Sequence, residues 1–467
     1  MKVRNVFGLM LSVMLLLLAA GPGLARELQA MEPSDTVDMN ADPAAYAPWF
    51  NIEVDTPGDV GQYTSVAIDP FNDTTYVSYY DATNKDLRLA RNRGFGSGGN
   101  CGPNNSWLCT TVDSGGDVGK YSSIAIKPVS GGGIYYPEIG IAYYDATNGQ
   151  LKYAYAEICA TCAWSINTID KPILFPTDNK GQYSSLKYHS SGKPYIAYYL
   201  EKPSGVDSLM VASYVGSGGN CGYGTQSGKW QCDIIQTGEG VGKYASLALD
   251  GAGNRHIAYY DGGNGDLWYA RSGTAANCGP GNSWVCYPVD SGSDVGQYAS
   301  LYLDNGNHYH IAYYDATTDE LNYAVDVGGG GNCGVLGSAQ CETIDSMPAG
   351  YHPLGVSMAE DAAGYPIIAY QSENNSLNVA RPVAALGLSG GGGNCGPENP
   401  FSTWYCETID RSGTWIPYRN GDFVSIALSR SGLATIAYNE FITSSDGNMA
   451  VSYQRFQIFE PLILKNH

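Results

Sequence analysis

The stretch RHIAYYDGGNGDLWYAR, Arg255–Arg271, decides the fold. Arg255 to Asp261 and Leu267 to Arg271 are short runs rich in Ile, Tyr, Leu and Trp, side chains that fit a pleated, partly buried surface. Between them, Gly262-Gly263-Asn264-Gly265 supplies the backbone freedom of a tight hairpin turn. A third run, Tyr244–Asp250, precedes this pair, and a fourth, Trp284–Asp290, follows it. Each is bounded by Gly, Asn or Asp, so the segment predicts four consecutive antiparallel strands.

The unit recurs along the chain: a Tyr-x-Ser run, then Ile-Ala-Tyr-Tyr-Asp, then Leu-x-Tyr-Ala, then Trp-x-Cys-x-x-x-Asp. The serine of the first element falls at Ser65, Ser123, Ser185, Ser246, Ser300 and Ser425, with Gly355 read in its place in a diverged sixth copy. That gives seven copies, 54 to 70 residues apart. One four-stranded sheet cannot bury both its faces, whereas copies stacked around an axis bury them against each other. Coils of a linear β-solenoid are shorter, about 20–30 residues. The fold class expected is therefore all-β, a seven-bladed β-propeller over residues 49–455, with Tyr-x-Ser innermost and Trp-x-Cys outermost. No helical period appears beyond the first residues.

Phase predicts how the ring closes. Trp49–Asp55 reads as an outermost strand, yet it precedes the first innermost one. The last copy has three strands and no Trp-x-Cys element after them. The orphan strand at the start is expected to complete the seventh blade by pairing near Met449–Gln454.

The 12 cysteines fall as six neighbours: Cys101/Cys109, Cys159/Cys162, Cys221/Cys232, Cys278/Cys286, Cys333/Cys341 and Cys395/Cys406. Each pair brackets the turn before an outermost strand, so six local disulfides are expected, staples that do not tie one blade to the next. Cys159-Ala-Thr-Cys162 has redox-motif spacing but lacks the βαβ context that reading needs.

Outside the repeat, Lys2 and Arg4, the apolar stretch from Val6 to Ala20 and the small residues Gly23-Leu24-Ala25 read as a signal peptide over 1–25. Residues 26–48 read as an acidic linker and 456–467 as a tail, in which Phe459 to Lys465 is similar to short Pro-Leu-aliphatic tails on some secreted bacterial proteins, the bland alternative being a strand packed along the last blade. The expectation is a secreted, extracellular or cell-surface monomer without a membrane span. A net charge of −20 argues against nucleic acid and leaves glycans, other surface polymers or cations as partners.

Loops entering the innermost strands share one face with those joining second to third strands. They carry Asp59, Asp117 and Asp294, each four residues before Tyr63, Tyr121 and Tyr298, and Asp178 and Glu239 lie ahead of Tyr183 and Tyr244. Tyrosines stack on sugars, carboxylates accept hydroxyl hydrogen bonds, and paired carboxylates can hold calcium, the one ion this face suggests. The bland alternative is an Asx turn for each Asp and shared packing for each Tyr. The ligand-binding candidates are Asp59, Tyr63, Asp117, Tyr121, Tyr183, Tyr244, Asp294 and Tyr298. His189, His256, His308, His310, His352 and His467 show no zinc spacing. No catalytic elbow or phosphate loop appears. The function expected is binding or scaffolding through recognition of a glycan or cell-surface polymer, with a carboxylate-based glycoside hydrolase or lyase on the same face as the alternative.

The Ile-Ala-Tyr-Tyr-Asp and Gly-Asp-Val-Gly-x-Tyr phrases make the repeat resemble secreted bacterial β-propellers of the loosely sialidase-like, or BNR-type, group. The resemblance stops at the fold. Asp boxes (Ser-x-Asp-x-Gly-x-x-Trp) are absent, and Arg91, Arg271 and Arg381 recur at the far ends of third strands rather than as a carboxylate-gripping triad. Six blades is also the usual count in sialidases.

Overall fold

The computed structural model describes residues 47–455, apart from 95–97, 129–136, 158–162, 174–176, 275, 348–354, 373–375, 388–391, 397–401, 412–418 and 444–445. The chain forms seven four-stranded antiparallel sheets, the blades of a propeller. In the fourth blade the strands are Lys243–Leu249, Arg255–Asp261, Asp266–Ser272 and Trp284–Asp290, paired in that order. The innermost strands of the other blades are Val60–Ile68, Val118–Ile126, Asn179–Tyr188, Val295–Leu303, Val356–Glu360 and Arg419–Leu428.

Burial explains the sequence pattern of each strand. Second strands are covered by a neighbouring blade on both faces; all of Thr75–Asp81 is buried. Their Ile-Ala-Tyr-Tyr runs are accordingly continuous rather than alternating, as buried strands require. The apolar clusters lie between blades. One joins Val60, Val66, Val77 and Tyr79 of the first blade to Val54, Met449 and Val451 of the seventh.

The ring closes as the phase predicts. Trp49–Asp55 pairs antiparallel with Asp446–Gln454, from Trp49 opposite Gln454 to Asp55 opposite Met449. Pairing removes an edge that would otherwise be open to association. The loop entropy of joining such distant segments grows only slowly with length.

Three side-chain devices repeat from blade to blade. First, the serine of each innermost strand accepts a hydrogen bond from a backbone N–H of the next one. Ile124 N donates to Ser65 Oγ at 3.1 Å, and the series closes with Val66 N to Ser425 Oγ at 3.0 Å. Its sixth member corrects the sequence reading: Ile426 N bonds Ser357 Oγ, so Ser357 fills the serine position, and Gly355 stands two residues earlier, in the tyrosine position. Second, a buried tyrosine of each second strand, the first of the Tyr-Tyr pair where there are two, donates its hydroxyl to a polar residue near the end of the preceding blade's outermost strand. Tyr79 reaches Asp55 at 2.6 Å, Tyr143 Asp113 and Tyr198 Asp170 at 2.7 Å, and Tyr370 Asp345 at 2.7 Å. Tyr259 uses Gln236 instead. The Asp near the end of the outermost strand is thus an inter-blade latch in six blades, and Gln236 takes its place in the third.

Third, five disulfides join Cys101–Cys109, Cys221–Cys232, Cys278–Cys286, Cys333–Cys341 and Cys395–Cys406, and no described cysteine is free. Cys159 and Cys162 lie outside the described residues. Contrary to the expectation of purely local staples, the stapled loops also bridge blades. Gly102 N donates to Val54 O at 2.8 Å, Gly222 N to Ile169 O at 2.8 Å and Gly279 N to Ile235 O at 2.9 Å. The asparagine before the first cysteine pins the loop from inside: Asn100 both donates to Cys109 O and accepts from Cys109 N.

Candidate functional site

The Gly-x-Tyr part of each entering loop builds a collar of aromatic rings around the axis. Its glycine is a requirement of blade packing: at Gly119, with φ +109°, an added Cβ would stand 2.8 Å from Leu87 Cα on the preceding blade. Gly61, Gly181, Gly242 and Gly296 meet the same obstacle at 2.6–2.8 Å. Two residues later the strand bulges. In the first blade Gln62 opposes Tyr80 and Ser65 opposes Ser78, so Tyr63 and Thr64 share the space opposite Tyr79. Such a bulge re-aims a side chain. Tyr63, Tyr121, Tyr183, Tyr244, Tyr298 and Phe423 all adopt φ of 51° to 55°, a left-handed conformation that costs a non-glycine residue about 1–3 kcal/mol.

The result is an arc of six rings. From Phe423 through Tyr63, Tyr121, Tyr183 and Tyr244 to Tyr298, successive centroids lie 4.5–4.7 Å apart. Successive planes differ by 44° to 60°, close to one-seventh of a turn, so each ring repeats its neighbour's pose and stands along the axis. The seventh place has no ring because it holds Gly355. The collar borders a cavity of about 380 Å³. Beneath the rings, Thr64, Ser122 and Ser184 line one side, and Ala245, Ala299, Val356 and Val424 the other. Ser122 donates to Tyr63 O and Ser184 to Tyr121 O, at 2.9 and 2.7 Å.

Burial pushes the phenols of Tyr63 and Tyr183 well up, and the neighbouring phenol of Tyr121 adds to the shift; burial also raises Tyr121 and Tyr244. These groups therefore remain neutral at ordinary pH. They can stack and exchange hydrogen bonds, but they supply no base.

The five predicted tyrosines thus come together, while the three predicted aspartates do not join them in one role. Asp117 accepts from Tyr80 Oη at 2.8 Å and from Lys120 Nζ at 2.9 Å. Burial works to raise its carboxyl, but those two bonds outweigh it and hold it below the usual carboxylate range. Asp294 accepts from Tyr260 Oη at 2.5 Å. Both are seam fasteners between blades. Asp59 accepts from Gln62 Nε2 at 3.0 Å, and burial raises its carboxyl, aided by Asp446 and Asp81. Sequence reasoning missed Phe423, whose signal was its place two residues before Ser425. It also missed Asn179, which takes the Tyr144 hydroxyl at 2.9 Å.

A second concavity, about 720 Å³, lies along the outermost strand of the seventh blade and includes Glu53, Asp55, Asn100, Asp410 and Glu440. Two of its carboxylates are already engaged as latches: Asp55 by Tyr79 and Asp410 by Tyr438. Burial pushes Glu440 up to about 7, with Asp410 and Glu53 adding to the shift. Among the described residues no group of three or more His, Cys, Asp or Glu is arranged to hold a metal. No helix there is long and apolar enough to cross a membrane.

No family model matches the chain, and no curated protein matches it. Among solved structures, it is similar to a protein of unknown function from Dyadobacter fermentans, at 13% identity over 87% of this chain and 98% of that one, TM-score 0.44. It is also similar to the Aleuria aurantia lectin solved with Fucα1-6GlcNAc, at 14% identity over 77% and 100%, TM-score 0.44. A third is the polysaccharide lyase Uly1, at 10% over 84% and 90%, TM-score 0.41. Scores of this size assign no function to the chain.

Proposed function

We propose that this chain is an extracellular binding propeller that takes a glycan, or another polymer of the cell surface, at its axial collar. One observation carries the reading: five tyrosines and a phenylalanine are held in a costly left-handed conformation at a single structural position, around a cavity large enough for a small ligand. Ring faces and neutral hydroxyls are the groups that recognise sugars. The glycine at the seventh position leaves the collar open on the side lined by Ala299, Val356 and Val424, which suits the less polar face of a sugar ring. The reading also draws on the cysteine pairs, which suit an oxidising, extracellular setting. A glycan array followed by calorimetry on the best hit tests it. Tyr183→Ala and Tyr244→Ala should each weaken binding at least tenfold while leaving the melting temperature near that of the parent. Unchanged affinity in both variants would remove the collar as the site.

Glu440 supports a second reading, a hydrolase or lyase acting in the outer groove. A carboxyl near 7 is poised for general acid or base work. A panel of chromogenic glycosides and uronic-acid polymers, with Glu440→Gln as control, decides it; turnover that survives the substitution rules out Glu440.

A further inference from the structure

Three departures from the repeat meet at the seam between the second and third blades, beside their outermost strands. The first is the length of the connector. Entering the first, second, fourth and fifth blades, four positions separate the latch residue from the residue four before the collar ring, as in Asp55 to Asp59 and Asp290 to Asp294. Entering the third blade the step is nine, Asp170 to Asn179, a length matched only at the seventh, Asp410 to Arg419. The second lies in the stapled loop. After its Cys-Gly, Pro103, Pro280 and Pro397 stand in three blades and Val335 in a fourth, but the third blade carries Tyr223. The third is Ile234, two residues past the second cysteine, where three other blades have Thr111, Thr343 and Thr408.

The fold brings Lys171, Ile173 and Asp178 of the long connector to Tyr223, Ile234 and Met210 around a cavity of about 370 Å³. It shares no residue with the collar. Packing does not account for the changes. Ile173 is 67% exposed and Ile234 45%, so neither apolar side chain serves the core. Asp178 is buried, yet its carboxylate has no hydrogen-bond partner among the described residues. Lys171 Nζ lies 4.4 Å from the centroid of the Tyr223 ring and makes no ion pair among them. An apolar hollow with a few convergent polar groups has the form of a ligand site, and insertions in repeat folds often gather on binding faces.

The lining selects the ligand. Its charges cancel: Lys180 pairs with Asp170 at 2.9 Å, and Lys171 opposes Asp178. A charged ligand therefore finds no net attraction, while a purely apolar one would leave a buried carboxylate without a donor. A neutral ring with one apolar face satisfies both walls. Its hydroxyls donate to Asp178, and its oxygens accept from Lys171 and from the Tyr223 phenol, which burial and then Asp170 keep protonated. We infer that this seam holds a second sugar-binding site, for one neutral hexose or deoxyhexose unit, with Asp178 as the anchoring acceptor and Ile173 and Ile234 as the apolar wall. The site rests on the reading of the chain as a glycan binder and adds a subsite that the axial collar does not require.

The experiment titrates the whole chain with the methyl glycosides of the common neutral hexoses and deoxyhexoses, read by saturation-transfer NMR and calorimetry, with methyl glucuronide and leucine as charged comparisons. At least one neutral glycoside should bind, and Asp178→Asn should weaken it about tenfold or more, the loss of a charge-assisted hydrogen bond. Ile234→Thr installs the residue of three sister blades at an exposed position, so the fold should survive, and it should weaken the same glycoside severalfold. Tyr183→Ala, in the collar, should leave this binding unchanged. Binding that Tyr183→Ala removes and both rim variants keep would overturn the inference and leave the collar reading standing. Preference of the rim for methyl glucuronide or leucine over every neutral glycoside would overturn it as well. No binding by any of these glycosides in the parent chain would overturn it outright, leaving the collar to the glycan array.

Discussion

Removal of the closing strand, by truncation through Asp55, tests the architecture most directly. Trp49–Asp55 contributes Val54, which is 1% exposed, and burying such a side chain is worth about 1.5–3 kcal/mol. It also supplies the acceptor for Tyr79, whose hydroxyl would be left buried and unpaired at about 1–3 kcal/mol. Arg88 sits 3.3 Å from both Asp55 and Asp81, so it keeps one carboxylate partner and adds little. The sum, about 3–6 kcal/mol, is a large part of a typical total stability of about 5–15 kcal/mol. At about 2 °C per kcal/mol for a chain of this size, the melting temperature should fall by about 6–12 °C. The exposed edge of Asp446–Gln454 should also promote association, visible by light scattering. Deletion of residues 26–45 alone serves as the control and should change neither. Asp55→Ala isolates the latch and should cost about 1–3 kcal/mol. The reasoning is refuted if the chain truncated through Asp55 melts with the full chain and stays monodisperse.

Other outcomes follow from the same geometry. Gly119→Ala should destabilise by about 1–3 kcal/mol or more, since its Cβ would meet Leu87 Cα at 2.8 Å and its φ is +109°; thermal melting reads this. Burial lowers the pKa of His256 and His310, partly offset by Asp250 and Asp304 respectively. A base depressed in the folded state destabilises as pH falls below its unfolded value, about 6.5, because only the unfolded chain then gains the proton. Melting temperature should therefore decline from pH 7 toward 5, and a His256→Gln, His310→Gln double variant should flatten that slope. Glu440, raised to about 7, acts oppositely in the same window, stabilising as pH falls from 7 toward 4.5; Glu440→Gln should steepen the decline. Replacing both Cys278 and Cys286 by serine should cost about 2–3 kcal/mol, while non-reducing peptide maps of the parent should recover the five described cysteine pairs intact.

The blade count, the strand order, the ring closure and five of the six cysteine pairs could be read from the sequence because each rests on local or periodic signals. Turn glycines, apolar runs and cysteine spacing repeat every copy, and a missing strand at one end matches a surplus at the other. The five collar tyrosines were also marked by their phrase. What the sequence alone could not show was the partner of each polar side chain across a seam. Asp117 and Asp294 look like ligand-binding residues in a loop, yet the structure spends them on Tyr80 and Tyr260, 37 and 34 residues away. Whether a hydroxyl meets a carboxylate there depends on register and on the bulge at Tyr63, and a slip of one residue would turn every side chain to the other face. The same holds for Gly355, whose place in the collar became visible only when Ser357 was found in the serine ring. Repetition in the chain determines how many blades there are; the packing between blades determines which residues remain available for a ligand.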